Sequence, residues 1–438
     1  VYSAKFASFL PSRQNKMSKS TNDHEVIEID LIHTSADSPR EEKKDDVSQI
    51  DDFSEQFDQR RNVPNIDPAN FSVTVESIRR RLAIPMYKRI PNTVFGVAMG
   101  LASHSILWKT ASTSSVVQRN QGEWTVLLNK FFWFAAVIVA GVVTLLYLLK
   151  WLMFRNFVRD EWKHPVRVHF FNTPHLVLLL LAIGLPNDFD PNKKTLRVIW
   201  GVAFVCQSAI TQSVYTRWMF SLNSSIKAAR PQFLLSTVGL FMLAVLGEQC
   251  DIESEWGLNL PGFCFGAGTM FYIMVVISIF NGLHQARNEK KSPALFMLFA
   301  PPSIAAIALD LMDDDPNTFS DGASMIVGWC LCLCLLLIKI GPSISDKPPT
   351  MGTYWAYVFP LGSLASLLIR YADSVGSMSA RVLAIVYMSL ATLALVLVLG
   401  REILHHILVM KGVERWEDPL VDKRYMHKSS RDLEIGRE

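Results

Sequence analysis

The chain has 438 residues, and 50% of them are hydrophobic, including 26 Phe and 11 Trp, which exceeds what a soluble domain needs for its core. Its 43 basic and 40 acidic residues leave a formal net charge of +3, which is too balanced to favour a nucleic-acid partner. The composition therefore excludes an ordinary soluble domain and predicts a protein that places its surplus apolar surface against membrane lipid.

Hydrophobicity divides the chain into three parts. Residues 1–89 are polar and rich in serine, with a charged run from Arg40 to Asp46. Because such a segment cannot bury a core, we expect a disordered cytoplasmic tail. Its hydroxyl residues, including the Ser38-Pro39 pair, predict phosphorylation by a protein kinase, and an unmodified linker is the alternative. Residues 90–409 form a membrane domain, and residues 410–438 form a second cytoplasmic tail.

Ten segments of the membrane domain are long and apolar enough to cross about 30 Å of hydrocarbon. They are 92–110, 127–153, 171–186, 196–220, 233–248, 259–284, 293–312, 322–341, 353–371 and 381–409. Lysine and arginine precede the first segment and fill alternate loops, whereas two of the opposite loops are acidic. The sequence therefore predicts an all-α polytopic protein with ten transmembrane helices and both tails in the cytoplasm.

The odd-numbered segments are shorter than the even ones and contain helix-weakening residues. Pro174, Pro301 and Pro360 lie in the third, seventh and ninth segments. Proline removes a backbone hydrogen bond and kinks a helix, which a protein-lined or water-filled cavity tolerates better than lipid does. We therefore predict five helical hairpins, each pairing a kinked inner helix with a smooth outer helix. The alternative is that kinks are frequent in any membrane helix.

Motifs typical of enzymes and metal sites are absent from the sequence. It contains no His-Glu-x-x-His pair, no Walker-type glycine-rich loop with lysine, and no plausible Ser-His-Asp set on facing segments. Cys330, Cys332 and Cys334 alternate in the eighth segment, and alternate helix positions diverge by about 200°, so they cannot converge on one ion. We expect neither an enzymatic activity nor a cofactor nor a bound metal.

The run 164–171, which reads HPVRVHFF and is followed by Pro174, resembles the plant slow-type anion channels. Further matching runs occur in the same order as in that family, at 95–96, 100–103, 107–108, 300–301, 303–308, 355–360 and 370–373. The resemblance covers the membrane domain and neither tail. The wider family also includes bacterial tellurite-resistance channel homologues and fungal exporters of dicarboxylates and sulfite.

The resemblance implies five inner helices around a central pore in each protomer of a homotrimer, with a phenylalanine of the ninth helix plugging the pore. Phe359 matches that phenylalanine, and Leu180 stands where plant members have a second one on the third helix. An aromatic ring blocks a narrow apolar tube by steric occlusion and dewetting. We therefore expect Phe359 and Leu180 to form the pore gate, with packing between helices as the alternative role.

Charged residues are nearly absent from the middle of the ten segments, which argues against a proton-coupled carrier. The sequence thus predicts a gated channel for small anions such as chloride or nitrate, surrounded by membrane lipid, with the plasma membrane as the expected location. A carrier exporting malate-like dicarboxylates or sulfite and a non-conducting scaffold are the alternatives. Three bases after the second segment are expected to attract anions at the cytoplasmic mouth, or to act as topology signals: Arg159, Lys163 and Arg167.

His104 and His175 also depart from the residues usual in plant members. A wetted histidine titrates near neutral pH, whereas a histidine in a packed wall is commonly hydrogen-bonded and inert. The sequence leaves both interpretations open.

Overall fold

The computed structural model describes residues 90–118, 122–189, 192–220, 229–285, 293–313, 318–340 and 354–410. Over these ranges the regular elements are α-helices and short 3-10 segments, without any strand. The predicted all-α class is confirmed for this part of the chain. The predicted N-terminal tail, with its Ser38-Pro39 pair, and all but the first residue of the predicted C-terminal tail lie outside the described residues.

Ten longer helices account for most of the described residues, and each overlaps one of the ten predicted segments. In chain order they are α1, Phe95–Thr113; α2, Gly122–Met153; α3, Thr173–Ile183; α4, Lys193–Phe220; α5, Leu234–Gln249; α6, Leu260–Gln285; α7, Ala300–Leu311; α8, Asp321–Ile340; α9, Trp355–Val375; and α10, Met378–Met410. Shorter helices cover Ser115–Gln118, Arg155–Lys163 and Ile252–Trp256.

Seven helical stretches of the described chain are long and apolar enough to cross a membrane: Glu123–Met153, Lys193–Phe220, Pro231–Gln249, Leu260–Leu283, Ala294–Leu311, Asp321–Lys339 and Met378–His405. The helix Arg155–Lys163 and the stretch Arg167–Ile183 meet at a bend of 113° and make an eighth if they are counted as one span. α1 and α9 fall outside this set, because both carry many polar side chains. The structure thus provides seven or eight apolar spans where the sequence predicts ten.

Burial alternates along the chain in the sense predicted for inner and outer helices. In the most apolar part of each span, 83% of positions are buried in α5 and 72% in the stretch that contains α7. The corresponding share is 11% in α2 and 28% in α10. Apolar side chains that the protein leaves uncovered require another apolar environment. The even helices therefore carry most of the apolar surface that the protein leaves uncovered.

Contacts between the odd helices close a ring. α1 packs on α3, α3 on α5, α5 on α7, α7 on α9, and α9 returns to α1. Each odd helix also packs on the even helix that follows it. The odd helices therefore surround a common centre, and the even helices lie against their outer surfaces.

The ring closes between α1 and α9 at a position that requires glycine. A Cβ atom on Gly100 would lie 2.4 Å from the Trp355 ring, far inside van der Waals contact. Trp355 is itself buried, so its ring cannot move aside without disturbing the surrounding core. The missing side chain of Gly100 lets the two helices approach closely.

Candidate functional site

The ring encloses two cavities of different size. The wide cavity, of about 450 Å³, is bounded by side chains from all five odd helices, among them Ile106, Leu180, Met242, Ile304 and Ser363. The narrow cavity, of about 50 Å³, lies near the N-terminal ends of the same helices. The narrow cavity thus borders the N-terminal parts of the odd helices and the wide cavity their C-terminal parts, and this succession of the two cavities is called the path below.

Phe359 contributes to the lining of both cavities. Among the described residues it is the one that lines both, and its side chain is 1% exposed. It precedes Pro360, which lies inside α9. The predicted gate residue therefore borders both cavities, and its gating role stays a prediction.

Leu180, the second predicted gate residue, lines the wide cavity together with Phe359. It lies near the end of α3 and is 2% exposed. It does not line the narrow cavity. Leu180 therefore shares only the wide side of the path with Phe359.

The three predicted kink residues occupy two kinds of position. Pro174 and Pro301 lie in the first turn of α3 and α7, where 3-10 segments lead into the α-helices. The first backbone amides of a helix have no partner within it, so proline is tolerated there without a kink. Pro174 and Pro301 thus lie where a 3-10 segment passes into an α-helix, and Pro360 lies inside its helix; a kink at each of the three stays a prediction.

The three bases predicted for a cytoplasmic mouth are outside the lining of both cavities. Arg159 and Lys163 are exposed on the helix Arg155–Lys163. Arg167 differs from them, because its guanidinium lies 3.3 Å from a carboxylate oxygen of Glu161 and is only 13% exposed. Arg167 is therefore held in an ion pair, whereas Arg159 and Lys163 are exposed, and the role of the three bases at a mouth stays a prediction.

A buried ionic network beside the narrow cavity was not predicted from the sequence. The Lys150 ammonium is 1% exposed and donates to Oε1 of Glu161 at 3.0 Å and to the carbonyl oxygen of Ile90 at 2.7 Å. The Tyr147 hydroxyl donates to the other oxygen of Glu161 at 2.7 Å. Lys150 and Glu161 together therefore connect the end of α2 to the helix Arg155–Lys163 and to Ile90, which precedes α1. From the sequence, Lys150 is an ordinary base at the end of an apolar run.

The wide cavity carries charged groups that the sequence analysis did not assign to the path. The Lys109 ammonium donates to the carbonyl oxygen of Ile183, the last residue of α3, at 2.8 Å. Arg370 donates to Oδ2 of Asp310 through Nε at 3.0 Å and Nη2 at 2.5 Å. Their places near the ends of spans are the sequence signal that could have identified them.

His104 and His175 belong to the packed wall. The ring nitrogens of His104 each lie 3.1 Å from a carbonyl oxygen, that of Gly100 in α1 and that of Ala391 in α10. Nε2 of His175 lies 2.7 Å from the side-chain oxygen of Gln207. Neither ring lines the wide or the narrow cavity. The geometry therefore favours the interpretation of both histidines as wall residues over pH sensing.

The amino-acid sequence of the chain is similar to those of plant anion channels. The chain is similar to the S-type anion channel SLAH2 of Arabidopsis thaliana, at 27% identity over 327 residues, which are 73% of this chain and 60% of that protein. It is 28% identical to the guard cell S-type anion channel SLAC1 of the same plant over 329 residues, 74% of this chain and 57% of that one. The chain thus spans about three-fifths of the length of these relatives.

An archaeal relative and a family match extend the comparison. The uncharacterized transporter MJ0576 of Methanocaldococcus jannaschii is 22% identical over 239 residues, 50% of this chain and 67% of that protein. The family described as SLAC1, voltage-dependent anion channel, matches residues 89–403, which run from just before α1 into α10. With its apolar helices, the chain is an integral membrane protein. It belongs to the SLAC1 family of voltage-dependent anion channels.

Proposed function

We propose that this chain is a gated anion channel that conducts chloride, nitrate and similar small anions, and that the Phe359 ring occludes its pore. One observation carries the proposal: Phe359 lines both cavities inside a closed ring of five helices. A buried aromatic ring at such a position excludes water as well as ions. Leu180 adds an aliphatic surface on the wide side of the gate.

The proposal includes the membrane arrangement. We take all ten helices as spans, in five hairpins with five inner helices around the pore. α1 and α9 need not be apolar throughout, because they face protein and cavity rather than lipid. The arrangement of basic loops supports cytoplasmic tails, which places the narrow cavity on the cytoplasmic side. A homotrimer in the plasma membrane and a kinase acting on the N-terminal tail complete the proposal, on family resemblance and tail composition.

The kink and mouth residues have smaller roles in this proposal. Pro360, inside α9, directs the preceding Phe359 towards the centre of the ring. Pro174 and Pro301 set the starts of α3 and α7, whose N-termini carry partial positive charge near the narrow cavity. Arg159 and Lys163 raise the local anion concentration at the cytoplasmic mouth, to an extent limited by their exposure.

A carrier for dicarboxylates or sulfite is the second candidate, and Asp310 is the observation that favours it. Its carboxylate is 10% exposed at the edge of the wide cavity, and proton-coupled carriers use such intramembrane carboxylates. The ion pair with Arg370 argues against this role, because the Arg370 guanidinium already makes two hydrogen bonds to the Asp310 carboxylate.

Current recordings in oocytes test the proposal and separate the candidates. Phe359→Ala should raise the basal current at least tenfold, and the reversal potential should follow the chloride gradient and not the pH gradient. Phe241→Ala is the matched control, because Phe241 is equally buried but packs against Phe265 of α6 and lines neither cavity. A Phe359→Ala protein at normal surface level with unchanged current would refute the gate. A reversal potential that also moves with pH would favour the carrier.

A further inference from the structure

Three serine hydroxyls in the wall of the wide cavity are already engaged as hydrogen-bond donors. The hydroxyls of Ser103, Ser363 and Ser366 donate to main-chain carbonyls of their own helices at 2.8–2.9 Å. In this arrangement their oxygens present lone pairs to the cavity, and lone pairs repel anions. Leu180, Ile304 and other apolar side chains form much of the remaining wall. The charged groups of the lining are therefore the strongest attraction that this wall offers to an anion.

Two cations line the wide cavity, and one of them, Arg370, is already paired with a carboxylate. Its guanidinium makes two hydrogen bonds to the same oxygen of Asp310, so the charges of the pair largely cancel towards the cavity. The lining contains two further carboxylates, Asp313 and Asp373, and no ion pair joins either of them to Lys109 among the described residues. Asp373 accepts hydrogen bonds from the hydroxyl of Ser115 and the amide of Val116.

Lys109 is the cation of this cavity that no carboxylate neutralises within the described residues. Its one hydrogen bond goes to the carbonyl of Ile183, at the C-terminal end of α3, where helix carbonyls lack partners. An ammonium carries three donors, so two remain for a ligand. The side chain is half-buried, which keeps its charge from being fully screened by solvent.

We propose that Lys109 binds a small monovalent inorganic anion, such as chloride or nitrate, in the wide cavity, and that Asp310 prevents Arg370 from holding the same anion. This inference rests on the proposed channel function and names its ion-binding residue. A lysine is a compact point charge, whereas a carboxylate ligand is best bound by the arginine fork, which Asp310 occupies here. The volume of about 450 Å³ leaves room for water around the ion.

One weakly held cation suits conduction, since an ion must enter a site readily and also leave it. With Arg370 freed, the cavity would present two cations at its wall and hold the anion longer. The Asp310–Arg370 pair thus sets how long an anion stays.

The test measures current against the anion concentration on the wide-cavity side, in the Phe359→Ala background. Lys109→Met and Lys109→Gln should each raise the half-saturating chloride concentration about threefold to tenfold, whereas Lys109→Arg should keep it near the parent value. Lys130→Met is the matched control, because Lys130 pairs with Asp188 near the same end of the bundle and lies outside the lining. Surface labelling shows that each compared variant reaches the membrane.

The second arm uses the ion pair. Asp310→Asn should lower the half-saturating concentration and the maximal current together, and Asp310→Asn combined with Arg370→Gln should return both towards the parent values. If the double variant behaves like Asp310→Asn alone, Arg370 is not the group that Asp310 restrains. If Lys109→Met and Lys109→Gln leave chloride saturation unchanged, or alter it only for malate, the Lys109 site is wrong. An absence of anion current in every variant, the Phe359→Ala parent included, would refute the channel itself.

Discussion

The two sides of Phe359 differ in size and in chemistry. On the narrow side, the cavity of about 50 Å³ is bounded by Met99, Phe170, Trp355 and similar residues, and no ionised side chain is among those that the structure describes there. On the wide side, the cavity of about 450 Å³ carries Lys109 and the Arg370–Asp310 pair. Occlusion and charge are therefore supplied by different ends of the same helices.

The difference indicates that the two sides have different functions in the proposed channel. A small apolar constriction closes a path by keeping water out, which requires no charge. A wider, hydrated cavity selects ions by electrostatic attraction, which requires charge but little steric precision. In this account, substitutions on the narrow side change how often the path is open or whether the protein folds, and those on the wide side change how anions occupy it.

The largest expected effect compares two ion pairs, one on each side. Glu161→Gln would leave the Lys150 ammonium buried without its carboxylate, a change that costs about 3–5 kcal/mol in other proteins. Asp310→Asn makes the same chemical change beside Arg370, whose side chain is 33% exposed, and should cost about 1 kcal/mol or less. Thermal unfolding of the two purified variants in detergent checks the difference. Equal losses of stability would show that the Lys150–Glu161 pair does not stabilise the fold more than the Arg370–Asp310 pair does.

A smaller effect is expected from the second gate residue. Leu180→Phe should lower the basal current severalfold, because a larger apolar side chain thickens the dry layer next to Phe359. Leu180→Ala should raise the current, but by less than Phe359→Ala does, since Leu180 lines only the wide side. Whole-cell currents at equal surface level give both comparisons. A larger rise in current for Leu180→Ala than for Phe359→Ala would show that the main occluding residue lies on α3 and not on α9.

The smallest effect concerns the exposed bases near the narrow side. Arg159→Gln with Lys163→Gln should lower currents carried by cytoplasmic anions by less than about twofold, because exposed charges are screened within about 8–10 Å at physiological salt. The loss should disappear as ionic strength rises. A large loss that persists at high salt would mean that these residues contact the ion directly.

Much of this arrangement can be predicted from the sequence, because inner and outer helices differ in local properties. Length separates α5 and α7 from α2 and α10, with Pro301 as a further mark of α7, and burial follows the same division. Phe359 was identified from the motif around it. The structure brings this residue to the boundary between two cavities, which supports the prediction without testing the gate.

The omissions have a physical reason. Lys109 and Lys150 lie near span ends, where a base usually only marks topology. Their functions depend on partners distant in sequence, such as Ile183 for Lys109, and no local pattern reveals those partners.

The most direct test of the account is accessibility from the two sides of Phe359. Ser363→Cys places a thiol in the wide cavity, and Met99→Cys places one in the narrow cavity, in a background where the exposed Cys206 and Cys332 are serine. A membrane-impermeant thiol reagent applied outside the cell should modify Ser363→Cys but not Met99→Cys while Phe359 is present. In the Phe359→Ala background it should modify both. Modification of Met99→Cys from outside at the same rate with Phe359 intact would contradict the account, because the ring would then separate nothing.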